Sequence, residues 1–342
     1  MSRFKNMFFI GAITVFIELV VLGYMNKFTF LDSVDVTINK IKEEKAENSK
    51  EAIVMPTIVK DFNISFDGSY ISYCLGNKIY VINTKSGFKR EITLDKNTFV
   101  NKYLWLKDRN RLIIGEKKIE NSSSEFSLSY YDADKNIKDN ITHLSWESKG
   151  YNITDISLAS SLDIVYTKIS NEKKSKIYSV DLVKNLSEID LKSEILGAMQ
   201  ASESRDELFY EDLKSNKLIS NFKGVNKERL DLKDMRFLYF DREENYYFYI
   251  EKEGVVHKVI IMKSLNYNSI KQIELKHPVT KKHIYITSKG YIYANEEENK
   301  TVLNLLTNKE TKYYGRFIGF YDEGFIYEKD KLYKKNFNIN VK

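Results

Sequence analysis

The stretch Asp61-Phe62-Asn63-Ile64-Ser65-Phe66-Asp67-Gly68-Ser69-Tyr70-Ile71-Ser72-Tyr73, followed by Asn77-Lys78-Ile79-Tyr80-Val81-Ile82-Asn83-Thr84-Lys85-Ser86-Gly87, decides the fold. It parses as strand, Asp-Gly turn, strand, tight turn, strand and Lys-Ser-Gly turn, with a fourth strand near Lys89 to Leu94. Apolar residues alternate with polar ones at period two, which suits a half-buried strand and not a 3.6-residue helix. Asp-Gly and Ser-Gly supply the tight turns that such short strands need.

The unit recurs. Its third strand returns as Lys176-Ile177-Tyr178-Ser179-Val180-Asp181 and Lys331-Leu332-Tyr333, with a looser copy at Ser127 to Asp132. Its second strand returns at Asn110 to Ile114, Leu162 to Tyr166, Glu207 to Tyr210, Tyr246 to Ile250, Gly290 to Tyr293 and Gly324 to Tyr327. The spacing of roughly 35–50 residues is that of propeller blades. An all-β propeller of seven blades is therefore expected, beginning near residues 59, 100, 151, 194, 234, 280 and 315. Six blades plus an irregular segment is the alternative count. The last blade runs out after three strands, and Ile53-Val54-Met55-Pro56-Thr57-Ile58 is expected to supply its outer strand and close the ring.

These units resemble the repeats of TolB-like and prolyl-oligopeptidase-type propellers, whose typical turn is Ser-Pro-Asp-Gly. Ser65-Phe66-Asp67-Gly68 keeps three of the four residues, with Phe66 in place of proline. Ala159 to Asp163 and Ser202 to Asp206 hold the strand pattern but degrade the turn. The resemblance covers most of the chain after residue 52 and implies an architecture. The peptidases of that superfamily carry their serine in a separate hydrolase domain, and neither that domain nor a Gly-X-Ser-X-Gly elbow is present here.

Ahead of the repeats, Met7 to Met25 reads MFFIGAITVFIELVVLGYM with one charge, Glu18. At 1.5 Å per residue it is long enough to span a hydrocarbon core of ~30 Å. No small-residue cleavage site or lipobox cysteine follows, so a retained signal anchor is expected. Arg3 and Lys5 favour an N-terminus in the cytoplasm and a domain outside it. The expected organisation is a tail at 1–6, a transmembrane helix at 7–25, a polar stalk at 26–51 and the propeller at 52–342. A carboxylate inside an apolar span costs ~2.5–3.5 kcal/mol, which makes Glu18 a candidate contact for an intramembrane partner.

Chemistry is sparse by comparison. Cys74 is the lone cysteine, so no intrachain disulfide forms. His143, His257, His277 and His283 show no metal-ligand spacing, and no glycine-rich phosphate cradle occurs. No cofactor or metal is expected. A net charge of +6 is scattered along the chain and makes no basic stripe for nucleic acid. Asp67, Asp163 and Asp206 belong to turns, where Asp caps its own backbone.

Aromatic residues make up 13% of the chain and gather at Tyr246-Tyr247-Phe248-Tyr249 and Tyr313-Tyr314. Tyr246, Tyr247, Tyr249, Tyr313 and Tyr314 are the candidate ligand-face aromatics; packing between blades is the competing reading. The expected function is a membrane-anchored, extracytoplasmic module that binds a protein or envelope polymer and is not an enzyme. The alternatives are a surface hydrolase using propeller carboxylates and a sensor or assembly subunit acting through Glu18. Ligand identity and oligomeric state are not legible.

Overall fold

The computed structural model describes Glu18 and residues 53, 55–59, 61–159, 163–181, 183–203, 205–263 and 270–337. The chain divides into two units, Met1–Asn39 and Lys40–Lys342. Of the first, Glu18 alone is described. The anchor expected at 7–25 and the stalk at 26–51 otherwise lie outside the described residues, among which no helix is long and apolar enough to cross a membrane.

The second unit is a seven-bladed β-propeller, built of six four-stranded sheets and one three-stranded sheet. Blade 1 holds β1 to β4 (Asn63–Ile64, Tyr70–Leu75, Lys78–Asn83, Lys89–Ile92), and blade 2 holds β5 to β8 (Thr98–Trp105, Arg111–Glu120, Ser123–Asp132, Ile137–Ser148). Blade 3 holds β9 to β12 (Asn152–Ala159, Ile164–Ser170, Ser175–Val180, Leu186–Glu188). Blade 4 holds β13 to β16 (Leu196–Ala201, Glu207–Asp212, Lys217–Phe222, Val225–Asp231). Blade 5 holds β17 to β20 (Arg236–Phe240, Tyr246–Lys252, Val255–Met262, Ile270–Val279). Blade 6 holds β21 to β24 (Ile284–Ile286, Ile292–Glu296, Thr301–Asn304, Lys309–Lys312), and blade 7 holds β25 to β27 (Arg316–Tyr321, Gly324–Glu328, Leu332–Asn336). Each blade is an antiparallel meander in chain order. Blade starts fall within four residues of those expected from the repeats.

Period-two alternation builds the ring. In β18, Tyr246 and Phe248 pack with Phe209 and Phe240 toward blade 4. Tyr247 and Tyr249 pack with Ile284 and Ile292 toward blade 6. In β6, Leu112 and Ile114 join Ile79 and Val81 of blade 1, while Ile113 joins Ile153 and Ile156 of blade 3. The described residues form seven such clusters, one at each junction between neighbouring blades, and the one joining blade 7 to blade 1 closes the circle. Each fully buried aliphatic or aromatic side chain contributes about 1.5–3 kcal/mol, so the core is distributed around the ring.

The Ser-Phe-Asp-Gly turn between β1 and β2 works as its residues require. Gly68 adopts φ +70° and donates its N–H to the Ser65 carbonyl at 2.9 Å. Asp67 accepts from Ser65 Oγ, Ser69 N and Ser69 Oγ at 2.9, 2.8 and 2.7 Å. Burial would raise the Asp67 carboxyl, but the hydrogen bonds from Ser69, Ser65 and Asn110 outweigh it and hold it below the usual carboxylate range.

Ring closure differs from the expected outer strand. Met55 and Val59 are buried between Ile71 and Tyr73 of blade 1 and Ile318 and Ile326 of blade 7, and the described residues of this segment add no strand to blade 7. The reason is a turn. Val59 N donates to the Pro56 carbonyl at 3.2 Å, so the segment is bent where a ladder needs extended backbone. Arg316, at the start of β25, donates to the carbonyls of Pro56 and Val59. Glu328 accepts from Met55 N at 2.5 Å. The segment is held by side chains, not by strand pairing.

Candidate functional site at the axial cavity

First strands approach one another between blades 7 and 1, 1 and 2, 2 and 3, 3 and 4, and 4 and 5, which puts them on the axial side of the ring. Their starts share one face of the ring, where Lys282 pairs with Asp61 and Arg316 meets Pro56 and Val59. Their ends share the opposite face, where Asp322 N donates to the Phe66 carbonyl and Ser288 meets Asp322.

Five of the first strands carry one extra residue against their second strand, between Val100 and Lys102, Ile153 and Asp155, Leu196 and Met199, Phe237 and Tyr239, and Phe317 and Gly319. A bulge bends its strand and steepens the twist. It also frees backbone groups, and blade side chains take them up. Asn77 accepts from Val100 N at 3.2 Å and Asn101 from Ile153 N at 3.0 Å. Glu211 accepts from Ala198 N at 3.0 Å and from Phe237 N at 2.5 Å, tying blade 4 to blade 5.

Between the two faces runs a cavity of about 1360 Å³, lined by the first strands of blades 1, 2, 5, 6 and 7 and the residues that flank them. One wall is aromatic: Tyr239, Tyr285, Phe317, Phe320 and Phe62 all line it. Tyr285 stacks on Phe320 with ring centres 5.3 Å apart and planes 13° from parallel, and Phe317 meets Phe320 edge-on at 4.8 Å. Arg316 lies over the Phe62 ring at 4.9 Å. Burial pushes the Tyr285 phenol well above its ordinary range, and nearby Asp322 adds to it.

A polar bar spans the mouth where the first strands end. Glu203, after β13, is 4% exposed. It accepts from Lys107 Nζ at 2.7 Å, from Arg242 Nε at 2.5 Å and from Tyr239 OH at 3.1 Å. Lys107 also donates to Tyr239 OH at 2.6 Å. Lys107 follows β5, so it reaches past blade 3 to groups on blades 4 and 5. Burial of Glu203 would raise its pKa, but the two cations outweigh that and bring it down to about 2. The Tyr239 phenol is driven well above its usual range, first by burial and then by the Glu203 charge.

The carboxylates here are committed to partners. Asp322 accepts from Ser288 N at 2.7 Å and Ser288 Oγ at 2.5 Å. Asp61 faces Lys282 at 3.3 Å and Glu297 faces His283 at 3.7 Å. Among the described residues no group of three His, Cys, Asp or Glu could hold a metal. A carboxylate with a pKa of about 2 holds no proton to give near neutrality, so Glu203 is unsuited to general acid work. The arrangement offers stacking faces and fixed hydrogen-bonding groups.

The residues singled out from sequence lie elsewhere. Tyr246, Tyr247, Tyr249 and Tyr313 are buried in the clusters between blades, and Tyr314 is 67% exposed. None of the five lines the cavity. Glu18 is helical and exposed, and its neighbours lie outside the described residues. Asp163 lies 3.4 Å from Arg109, and Asp206 accepts from Tyr166 OH at 2.5 Å. Sequence reading missed Lys107, Glu203, Tyr239, Arg242 and Tyr285. The available signal was position: Lys107, Glu203 and Arg242 each stand just after a first strand, where blade 1 has its Asp-Gly turn.

No protein-family model matches the chain, and no curated protein matches it. Solved structures do. A chain of the mitotic checkpoint complex is similar with a TM-score of 0.50 and 10% identity, over 86% of this chain and 87% of that one. A chain of the nidogen/laminin complex gives 0.47 and 10%, over 71% and 92%. The acylaminoacyl peptidase of Pyrococcus horikoshii gives 0.48 and 15%, over 75% of this chain and 45% of that one. At such identities the likeness concerns the fold alone.

Proposed function

We propose that this chain is a membrane-anchored, extracytoplasmic propeller that binds a protein or cell-envelope polymer without turning it over, and that its axial cavity is the binding site. The observation carrying this reading is the pairing of an aromatic wall, Tyr239, Tyr285, Phe317 and Phe320, with charged groups already held by one another. Concave sites with apolar faces and a few fixed polar groups are what ligand recognition uses. The apolar run at 7–25, with Arg3 and Lys5 before it, supports the anchor and its orientation.

Affinity capture from solubilised membranes tests it, using the full-length chain, Tyr285→Ala and Glu18→Leu. A protein or polymer retained by the wild type and by Glu18→Leu, but lost from Tyr285→Ala that melts within a few degrees of wild type, is the expected result. Retention by all three chains would remove the cavity from the reading. Loss from Glu18→Leu alone would move recognition into the membrane. Release of fragments from wall glycans or peptides by the wild-type chain would make it a hydrolase instead.

A further inference from the structure

The two mouths of the axial cavity are held in different ways. At the mouth where first strands end, the ties cross the ring and rest on a buried group. Glu203 of blade 4 is 4% exposed, and it takes Lys107 of blade 2 and Arg242 of blade 5, whose side chains are 46% and 59% exposed. Lys107 passes blade 3 to get there and lies over the Tyr239 ring, 4.5 Å from its centre. Across from this bar, Asp322 joins blade 7 to Ser288 of blade 6, and its N–H reaches the Phe66 carbonyl of blade 1 at 3.4 Å. The Asp322 charge also bears on Arg242, so the two arcs attract one another.

At the mouth where first strands begin, the tie across the ring among the described residues is Lys282 to Asp61 at 3.3 Å, with side chains 58% and 80% exposed. Arg316 is turned to the entry segment, and His283 faces Glu297 within its own blade. An exposed pair of flexible side chains is screened by water and salt and gives way readily. A buried carboxylate held by two cations and a phenol does not, because parting them strands a charge away from water. Between the mouths the half-buried Leu238, Tyr285 and Phe320 line the cavity. A group that enters past Asp61 and Lys282 therefore meets the aromatic wall first and the bar last.

We infer that the axial cavity is a blind socket, entered through the mouth at Asp61 and Lys282 and floored by the Lys107–Glu203–Arg242 bar. The inference rests on the reading of the cavity as the binding site. A socket shut at one end takes a projecting tip, a loop or chain end that carries an apolar or ring-shaped group. It does not take a polymer threaded from one face to the other.

The full-length chain in detergent, with Cys74→Ser and with Leu238→Cys in the cavity wall, tests this through the rate at which a water-soluble maleimide dye labels the new thiol. Thr57→Trp with Asp61→Trp crowds the first mouth and Asp108→Trp the other; all three positions are exposed and line the cavity. Expected is labelling slowed about tenfold or more by the first pair, unchanged by Asp108→Trp, and restored when Lys107→Ala is added to the first pair. Equal rates in the two crowded chains, slowing by Asp108→Trp, or no restoration by Lys107→Ala overturns the socket. Leu104→Cys, on the blade 2 wall, carries the same measurement if Leu238→Cys melts well below its parent. The labelling needs no ligand, so the two readings fail separately. Full capture by Tyr285→Ala would remove the binding site and leave the socket, whereas lost capture with unslowed labelling would keep the site and remove its floor.

Discussion

Glu203 illustrates how a single carboxylate can hold a propeller across its axis. Its folded-state pKa of about 2 lies below the ordinary glutamate value of 4.5. The native state therefore binds its proton less readily than the unfolded chain. Its contribution is fully present above about pH 4.5 and is lost as pH falls through about 2, and it amounts to about 3 kcal/mol at most. Glu203→Gln should destabilise the domain by about 2–4 kcal/mol at neutral pH, since it leaves Lys107 and Arg242 facing one another without their anion. Denaturant melts of the two chains should converge as the pH is lowered toward 3. A constant gap across that range would remove the ionised carboxylate from the explanation. Part of this was legible: residues 202–206 stand where the repeat places a turn. The partner was not, because Lys107 is 96 positions away and the contact exists only once blades 2 and 4 face each other.

At the scale of the element, period two made each strand recognisable and turn residues marked its ends. The bulges of the first strands left no such mark, since one extra residue in a strand of five to eight looks like ordinary alternation slipping by one. Glycines at element ends are a sharper case. Gly315, before β25, has φ +90°, and a Cβ there would stand 2.1 Å from the Glu328 carbonyl oxygen. Gly76, in the β2–β3 turn, has φ +62° with nothing within 4 Å of that position. Gly76→Ala should cost only the left-handed backbone penalty of about 1–2 kcal/mol. Gly315→Ala adds a clash with backbone and should cost about 4 kcal/mol or more. Urea midpoints for the two variants check this, and equal losses would show that blade 7 yields freely at that contact.

Across the whole molecule the weakest-looking junction is the one at blade 7, which has three strands among the described residues. Met55, 1% exposed, fills the gap between blades 7 and 1. Met55→Ala should cost about 2–5 kcal/mol, as large-to-small changes in packed cores do. Hydrogen exchange should then rise first in β1 and β25 to β27, whereas a rise spread evenly over all blades would show the ring opening as one unit. By itself the sequence determined sheets of short strands in seven candidate blades, their starts to within four residues, the alternation that packs each blade on two neighbours, and the apolar run ahead of them, because these follow from local period and turn chemistry. The tertiary structure alone decided which residues meet at the axis, that Tyr246 to Tyr249 serve packing while Tyr239 and Tyr285 face the cavity, and how the circle closes. Those outcomes depend on bringing together residues from blades far apart in the chain, and no local pattern records a distance that only ring closure creates.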